Sequence, residues 1–217
     1  MKYIEKQPEP DQFRQWKESV SADWIPSWGA LDDAPNVKKA LKGQLLSEQG
    51  AICCYCGISV NQNNSHIEHI KPRKNYPEEA LNYNNLLASC LLDGKRKINL
   101  HCGMRKSDWY VASEFVSPLD SSCQERFGFG SNGTIRAKNQ QDRSATMTIQ
   151  KLGLDCSQLN AHRKKAIEAS GLFDNALTEN DLEQLADAIM RRDDEGHFVE
   201  FCFAISSVLK ELNDKTG

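Results

Sequence analysis

The 217-residue sequence has no run approaching the ~18 apolar residues that a membrane span requires. Its first ten residues, MKYIEKQPEP, also lack the apolar stretch of a signal peptide. The expectation is a cytoplasmic protein without membrane contact. Internal repeats and low-complexity segments are absent as well, which excludes solenoids and disordered arrays. Apolar residues are few: 39% of the chain is hydrophobic, below the usual ~45–50%, a figure that also counts glycine. That is enough for a core in one generous domain or one domain with an appendage. In a reducing compartment the eight cysteines are not a disulfide framework. Those with ordered spacing read as metal ligands and the others as buried thiols.

A net charge of -3 argues against nucleic acid only if charge is evenly spread. It is not. Residues 71–106 carry eight bases and three acids, while residue 174 onward carries eleven acids and four bases. The centre is suited to an anionic ligand, and the C-terminal segment reads as a solvated or partner-facing acidic region. The cysteines are uneven too: Cys53, Cys54, Cys56, Cys90 and Cys102 cluster, whereas Cys123, Cys156 and Cys202 stand alone and read as small buried hydrophobes.

Apolar periodicity predicts helices over 11–20 and 36–49, the second ending at Gly50, and three more over 159–169, 179–192 and 198–212. Trp24 and Trp28 anchor an irregular segment between the first two. Residues 51–57 read as a strand running into a metal knuckle, and 65–70 alternate as a half-buried strand, so two strands bracket the turn Asn61-Gln-Asn-Asn. Residues 115–147 read as loop with one hairpin at Asn132-Gly133. The fold class expected is α+β, divided into an N-terminal helical segment (1–50), a metal-stabilised core (51–115), a loop-rich insertion (116–150) and a C-terminal helical region (151–217).

The chemistry concentrates in Cys53-x-x-Cys56, His66-x-Glu68-His69, Asn85-Leu86, Cys90 and His101-Cys102-Gly103-x-x-Lys106. Two thiolates two residues apart on a tight turn reach tetrahedral positions about one Zn²⁺. Cys90 and Cys102 would complete that structural site if the intervening segment loops out, with Cys54 a poorer substitute for Cys53. A zinc ribbon in which His66 and His69 join Cys53 and Cys56 is the other reading. Nine residues separate Cys56 from His66, fewer than the ~12 of a ββα finger. Adjacent strand residues such as Glu68 and His69 point to opposite faces, so serving one site takes a bend or a metal across the strand edge.

An acidic residue before histidine, then an apolar residue, a near proline and a downstream Asn-Leu resembles the HNH endonuclease motif of the ββα-metal fold. The matching residues are Glu68, His69, Ile70, Pro72, Asn85 and Leu86. The resemblance implies His69 as general base, Glu68 as ligand of a catalytic Mg²⁺ or Mn²⁺, and Asn85 as a second ligand or the group orienting the loop. Many HNH proteins carry Cys-His where this chain has Cys102-Gly103. The third ligand is then His101, or the ion is held by Glu68, Asn85 or Asn84, and water. Lys71, Arg73, Lys74, Lys95, Arg96, Lys97 and Lys106 would hold flanking phosphates.

More of the chain, from about residue 49 to 165, is similar to the HNH nucleases of retron and Septu-type anti-phage systems: Tyr55-Cys-Gly, His-Ile-Glu-His-Ile-Lys-Pro-Arg, Asn84-Asn-Leu-Leu-Ala-Ser-Cys, His-Cys-Gly-Met-Arg-Lys, Phe115-Val-Ser-Pro-Leu-Asp and Ile149-Gln-Lys-Leu-Gly-Leu-Asp-Cys. That resemblance implies an ABC/SMC-like ATPase partner and, in retron operons, a reverse transcriptase with its multicopy single-stranded DNA. Substrate is open between DNA and RNA such as tRNA. A zinc module that binds nucleic acid or protein without catalysis is the alternative.

Overall fold

The computed structural model describes residues 1–91, 100–171 and 178–216; Lys95, Arg96 and Lys97 lie outside them. Helix α1 (Asp11–Glu18) buries Phe13, and α2 (Pro35–Glu48), opened by a proline in its first turn, buries Leu41 and Leu45. Strands β1 (Ser65–His69) and β2 (Leu86–Cys90) pair antiparallel, Ser65 opposite Cys90 and His69 opposite Leu86. A one-turn helix α3 (Cys102–Lys106) follows, then the short hairpin β3 (Phe127–Phe129) and β4 (Ile135–Ala137). Four helices complete the chain: α4 (Arg143–Leu152), α5 (Ser157–Ala169), α6 (Glu179–Ile189) and α7 (Cys202–Thr216). Among the described residues this is the expected α+β architecture, seven helices around two small sheets, and no helix is long and apolar enough to cross a membrane.

A two-stranded sheet is marginal alone in water, and β2 is the strand the rest of the molecule encloses. All five of its residues are buried. Its second edge is sealed by a side chain: Gln49 Nε2 donates to the Ala88 carbonyl (2.8 Å), and the Ala88 amide donates to Gln49 Oε1 (2.7 Å). The Cys54 amide also donates to the Ala88 carbonyl (3.1 Å). Buried Glu48 ties neighbouring segments together by accepting from Lys6, from the Gln7 amide (3.1 Å) and from the Tyr83 hydroxyl (2.9 Å).

Two expectations are corrected. Residues 51–57 are not a strand beside 65–70. They curl into a knuckle in which the Cys53 amide donates to Ile58 O (2.8 Å) and the Gly57 amide donates to Cys53 O (3.1 Å), leaving only an isolated bridge between Ile52 and Ser59. Aiming two cysteines at one point uses up the backbone groups that a ladder would need, so β1 takes β2 as its partner. Second, α4 occupies residues read as loop. Asp142 caps it by accepting from the Ala145 amide (3.0 Å), and Ala145, Thr148, Ile149 and Leu152 form its buried stripe. The polar Thr148, which accepts from the Val116 amide (2.8 Å), disguised the periodicity. The C-terminal segment is helical, as its periodicity predicts. Helix α7 buries Cys202, Ala204, Ile205, Val208 and Leu209, and only its outer face is left for charge. Cys123 is buried as expected, while Cys156 is half-buried at the head of α5.

The knuckle and α7 meet at Gly57, which has φ +82°. A Cβ there would lie 2.5 Å from Cε1 of Phe203, and Gly57 O accepts from the Phe201 amide (2.9 Å). Gly57→Ala combines left-handed backbone with a clash. It should lower stability by about 1–3 kcal/mol, read as a reduced thermal midpoint of the metal-loaded protein; an unchanged midpoint would show that α7 does not brace the knuckle.

Candidate active site and metal centre

Cys53 and Cys56 from the knuckle, Cys90 from the end of β2 and Cys102 from the start of α3 converge, their four Sγ atoms all within 4.8 Å of one another and all buried. A tetrahedral zinc with ~2.3 Å bonds to sulfur sets its sulfurs about 3.8 Å apart, and Cys56 Sγ and Cys90 Sγ are separated by 3.8 Å. The Cys90 amide donates to Cys53 Sγ (3.3 Å). Burial opposes ionisation of Cys53, but thiols donated by its neighbours outweigh it and pull Cys53 well below the ordinary thiol value. Burial and that first negative charge push Cys102 up. A bound cation relieves this resistance to further deprotonation. The donor set therefore fits zinc. Cys54 is outside the cluster, so the choice of Cys53 in the x-x spacing agrees with the geometry.

His101 belongs to this centre by position. It is 1% exposed, and its Nδ1 lies 3.2 Å from Cys102 Sγ and 3.7 Å from Cys90 Sγ. The imidazole is turned to the thiols.

Glu68 is buried on β1 and both its oxygens are engaged. Oε1 accepts from the Tyr55 hydroxyl (3.2 Å) and from Lys106 Nζ (3.0 Å); Oε2 lies 3.3 Å from His66 Nε2. Burial would raise this carboxyl, but His66 and Lys106 hold it below the usual carboxylate value, so it is an anion at neutral pH. Lys106 is 2% exposed and also donates to the His69 carbonyl (2.8 Å). Its charge is spent inside the protein, and it is corrected from a phosphate-facing base to the counter-ion of Glu68. Truncating one partner of such a pair typically costs about 3–5 kcal/mol, because the other charge is left buried alone.

His69 closes β1, where the chain leaves the ladder, and this end position lets it share a cleft with its strand neighbour Glu68. Its Nε2 is 3.0 Å from the Ala80 carbonyl. A carbonyl only accepts, so Nε2 carries the hydrogen and the lone pair of the neutral ring is on Nδ1. The Trp28 ring packs edge-on against the imidazole, centroids 4.3 Å apart. Burial, with Arg73 adding to it, lowers the His69 pKa to about 4. Asn85, also buried, acts on the excursion between the strands. Its Oδ1 accepts from the Lys71 amide (2.7 Å), and its Nδ2 donates to the Lys71 (3.0 Å) and Glu79 (3.1 Å) carbonyls. That locks the residue beside Ala80, whose carbonyl orients His69. With both amide atoms committed to backbone, Asn85 has the geometry of a positioning residue and not of a metal ligand.

Residues His66 to His69 line an open cleft of about 510 Å³ with Pro72, Arg73, Lys74, Ser107 and Asp108. Arg73 stacks over Trp28, 5.0 Å from its ring centre, and Lys74 makes a loose exposed pair with Asp108 (3.4 Å). Lys71 is paired with Glu79 (2.5 Å). Arg73 and Lys74 are thus the described bases that face this cleft.

Known proteins resemble this chain over the region that holds the site. Residues 53–98 match the HNH endonuclease family. The chain is 32% identical over 143 residues to the HNH endonuclease assigned to retron Vc95 of Vibrio cholerae serotype O1 biovar El Tor, covering 63% of this chain and 67% of that protein. The chain belongs to the retron-type HNH endonucleases. The HNH endonuclease assigned to retron Ec83 of Escherichia coli is 26% identical over 193 residues, 70% of this chain and 73% of the other. The HNH match begins at Cys53, the first of the four thiols, and takes in Glu68, His69 and Asn85.

Sequence reasoning missed Trp28, Tyr55, Ala80 and the inward turn of Lys106 in this HNH nuclease. Tyr55, between the two knuckle cysteines, carried a positional signal. Trp28 and Ala80 reach the site only through the fold, and no local pattern marks them.

Two outcomes follow from the geometry. Purified protein should carry one tightly held zinc per chain, and Cys90→Ser should lose it together with cooperative unfolding; a metal-free wild type or a zinc-loaded variant would contradict the site. Between pH 6.5 and about 4 the unfolded chain binds a proton on His69 that the folded chain excludes. His69 should thus weaken the fold by up to about 1.4 kcal/mol per pH unit as acidity rises. His69→Gln should flatten that part of the stability profile in denaturant titrations, and equal slopes for both proteins would refute it.

Proposed function

We propose that this nuclease hydrolyses phosphodiester bonds of nucleic acid with His69 as general base and Glu68 as ligand of a divalent cation, Mg²⁺ or Mn²⁺. The observation that carries the reading is the pairing in one cleft of an ionised buried carboxylate with a neutral histidine whose tautomer is fixed by Ala80. When bound, the cation supplies charge neutralisation at the scissile phosphate and its leaving oxygen. His69 Nδ1 takes the proton of the attacking water. A base lowered to about 4 is almost entirely neutral at pH 7, so basicity is traded for availability. Trp28 and the Ala80 carbonyl hold the ring in one orientation, Asn85 fixes that carbonyl through the adjoining peptide, and Lys106 keeps Glu68 ionised without approaching solvent. Arg73 and Lys74 are placed to meet phosphates beside the cleaved bond, and Lys71 after release from Glu79. The zinc at Cys53, Cys56, Cys90 and Cys102 is structural and takes no part in hydrolysis.

The retron names of the relatives support a place in an anti-phage system in the cytoplasm, beside a reverse transcriptase with its single-stranded DNA and an ABC/SMC-like ATPase, as in Septu-type systems. DNA and structured RNA present the same phosphodiester to this site. The purified protein, alone and with those partners, should be incubated with plasmid, single-stranded DNA and total RNA, with and without divalent metal. His69→Ala should keep its zinc and fold while cleavage falls about 10²–10⁴-fold. Undiminished cleavage would remove His69 from catalysis. Nucleic-acid binding unaffected by both His69→Ala and Glu68→Gln, with no cleavage in any arm, would favour a non-catalytic zinc module.

A further inference from the structure

The residue after Cys102, where many HNH proteins have histidine, is Gly103, and the structure shows what stands against it. A Cβ on Gly103 would come within 2.3 Å of Glu68 Oε2 and 2.7 Å of His66 Nε2. The glycine does not serve a left-handed turn, since its φ is not among the positive ones. It serves proximity: α3 backbone approaches the tips of two β1 side chains so closely that no side chain fits between. The space that a histidine from α3 would fill is filled by a histidine from β1.

His66 and Glu68 are two apart on one strand and so share a face. Glu68 Oε1 is taken by Tyr55 and Lys106, which leaves Oε2 beside His66 alone. The 3.3 Å between Oε2 and His66 Nε2 is close to the separation of two adjacent ligands on an octahedral ion, about 3 Å for bonds of 2.0–2.1 Å. Beyond its contact with Glu68, the described residues give His66 no partner. Among the described residues its Nδ1 is buried without a hydrogen-bond partner, and its other nitrogen meets the carboxylate alone. A histidine kept for structure alone normally has both nitrogens satisfied. His101 is turned to the thiols and Asn85 to the backbone, so neither competes for this position.

We propose that His66 is the nitrogen ligand of the catalytic cation, standing in through β1 for the α3 histidine that Gly103 replaces. The inference rests on the reading of Glu68 as a metal ligand. One carboxylate oxygen and one imidazole, with water and phosphate oxygens filling the remaining positions, suit Mn²⁺ better than Mg²⁺, because imidazole favours the transition ion.

The test uses the full, zinc-loaded chain and Mn²⁺ as the probe, with affinity from the free-ion electron paramagnetic resonance signal and ligand identity from electron spin echo modulation by nitrogen. The wild type should bind one Mn²⁺ with a directly coordinated nitrogen. His66→Ala should weaken that binding at least about tenfold and lose the nitrogen coupling, with zinc content and thermal midpoint unchanged. His66→Asp should regain affinity without the coupling. Nitrogen coupling that persists in His66→Ala, or Mn²⁺ held in a Glu68-dependent way with no coupled nitrogen in the wild type, would overturn the role of His66 and leave the metal reading of Glu68 standing. Absence of any Mn²⁺ binding sensitive to Glu68→Gln would overturn that reading and this inference with it.

Discussion

Everything in the active cleft depends on four thiols closing on one point. They draw together the knuckle, the end of β2 and the first residue of α3, three pieces from separate stretches of the chain. The pair β1–β2 is too small to persist alone, and α3 is a single turn. Joined, they bring Tyr55 from the knuckle and Lys106 from α3 onto the two sides of Glu68 on β1. The carboxylate owes its position and its ionisation to elements that the thiol cluster assembles, although none of the thiols touches it.

Backbone groups do much of the remaining work. The Ala80 carbonyl selects the tautomer of His69, and the Asn85 carboxamide fixes the adjoining Glu79 carbonyl and the backbone amide and carbonyl of Lys71. An asparagine suits this because a single planar group carries both an acceptor and two donors. The His69 carbonyl in turn receives Lys106, which also serves Glu68. Strand end, excursion and α3 therefore share one buried polar network in which every contact also orients a neighbour.

The sequence made the thiol spacing, the Glu68-His69 pair and five of the seven helices among the described residues legible, since each rests on local spacing or periodicity. The failures have physical causes. Helix α4 hid behind Thr148, whose hydroxyl is paired with a neighbouring loop and so behaves as a buried residue. The segment 51–57 looks like a strand in composition because its side chains are buried, yet the bonds of a metal knuckle leave no ladder. Lys106 counted as a surface base because charge counting takes no account of direction, and α3 points it inward. Asn85 kept two readings open until the partners of its amide were known. Trp28 touches His69 across residues that no spacing rule connects.

The geometry of the thiols has one more consequence. The chain leaves the centre at Cys90 and returns at Cys102 with those two sulfurs within 4.8 Å, so the eleven residues between them begin and end at one anchored place. The entropic cost of a flexible loop grows only about 0.6 kcal/mol for each doubling of its length. A metal held by these thiols is in that sense a cross-link, closing the chain between Cys90 and Cys102 much as a disulfide would and withdrawing that closure from the unfolded chain when it is lost.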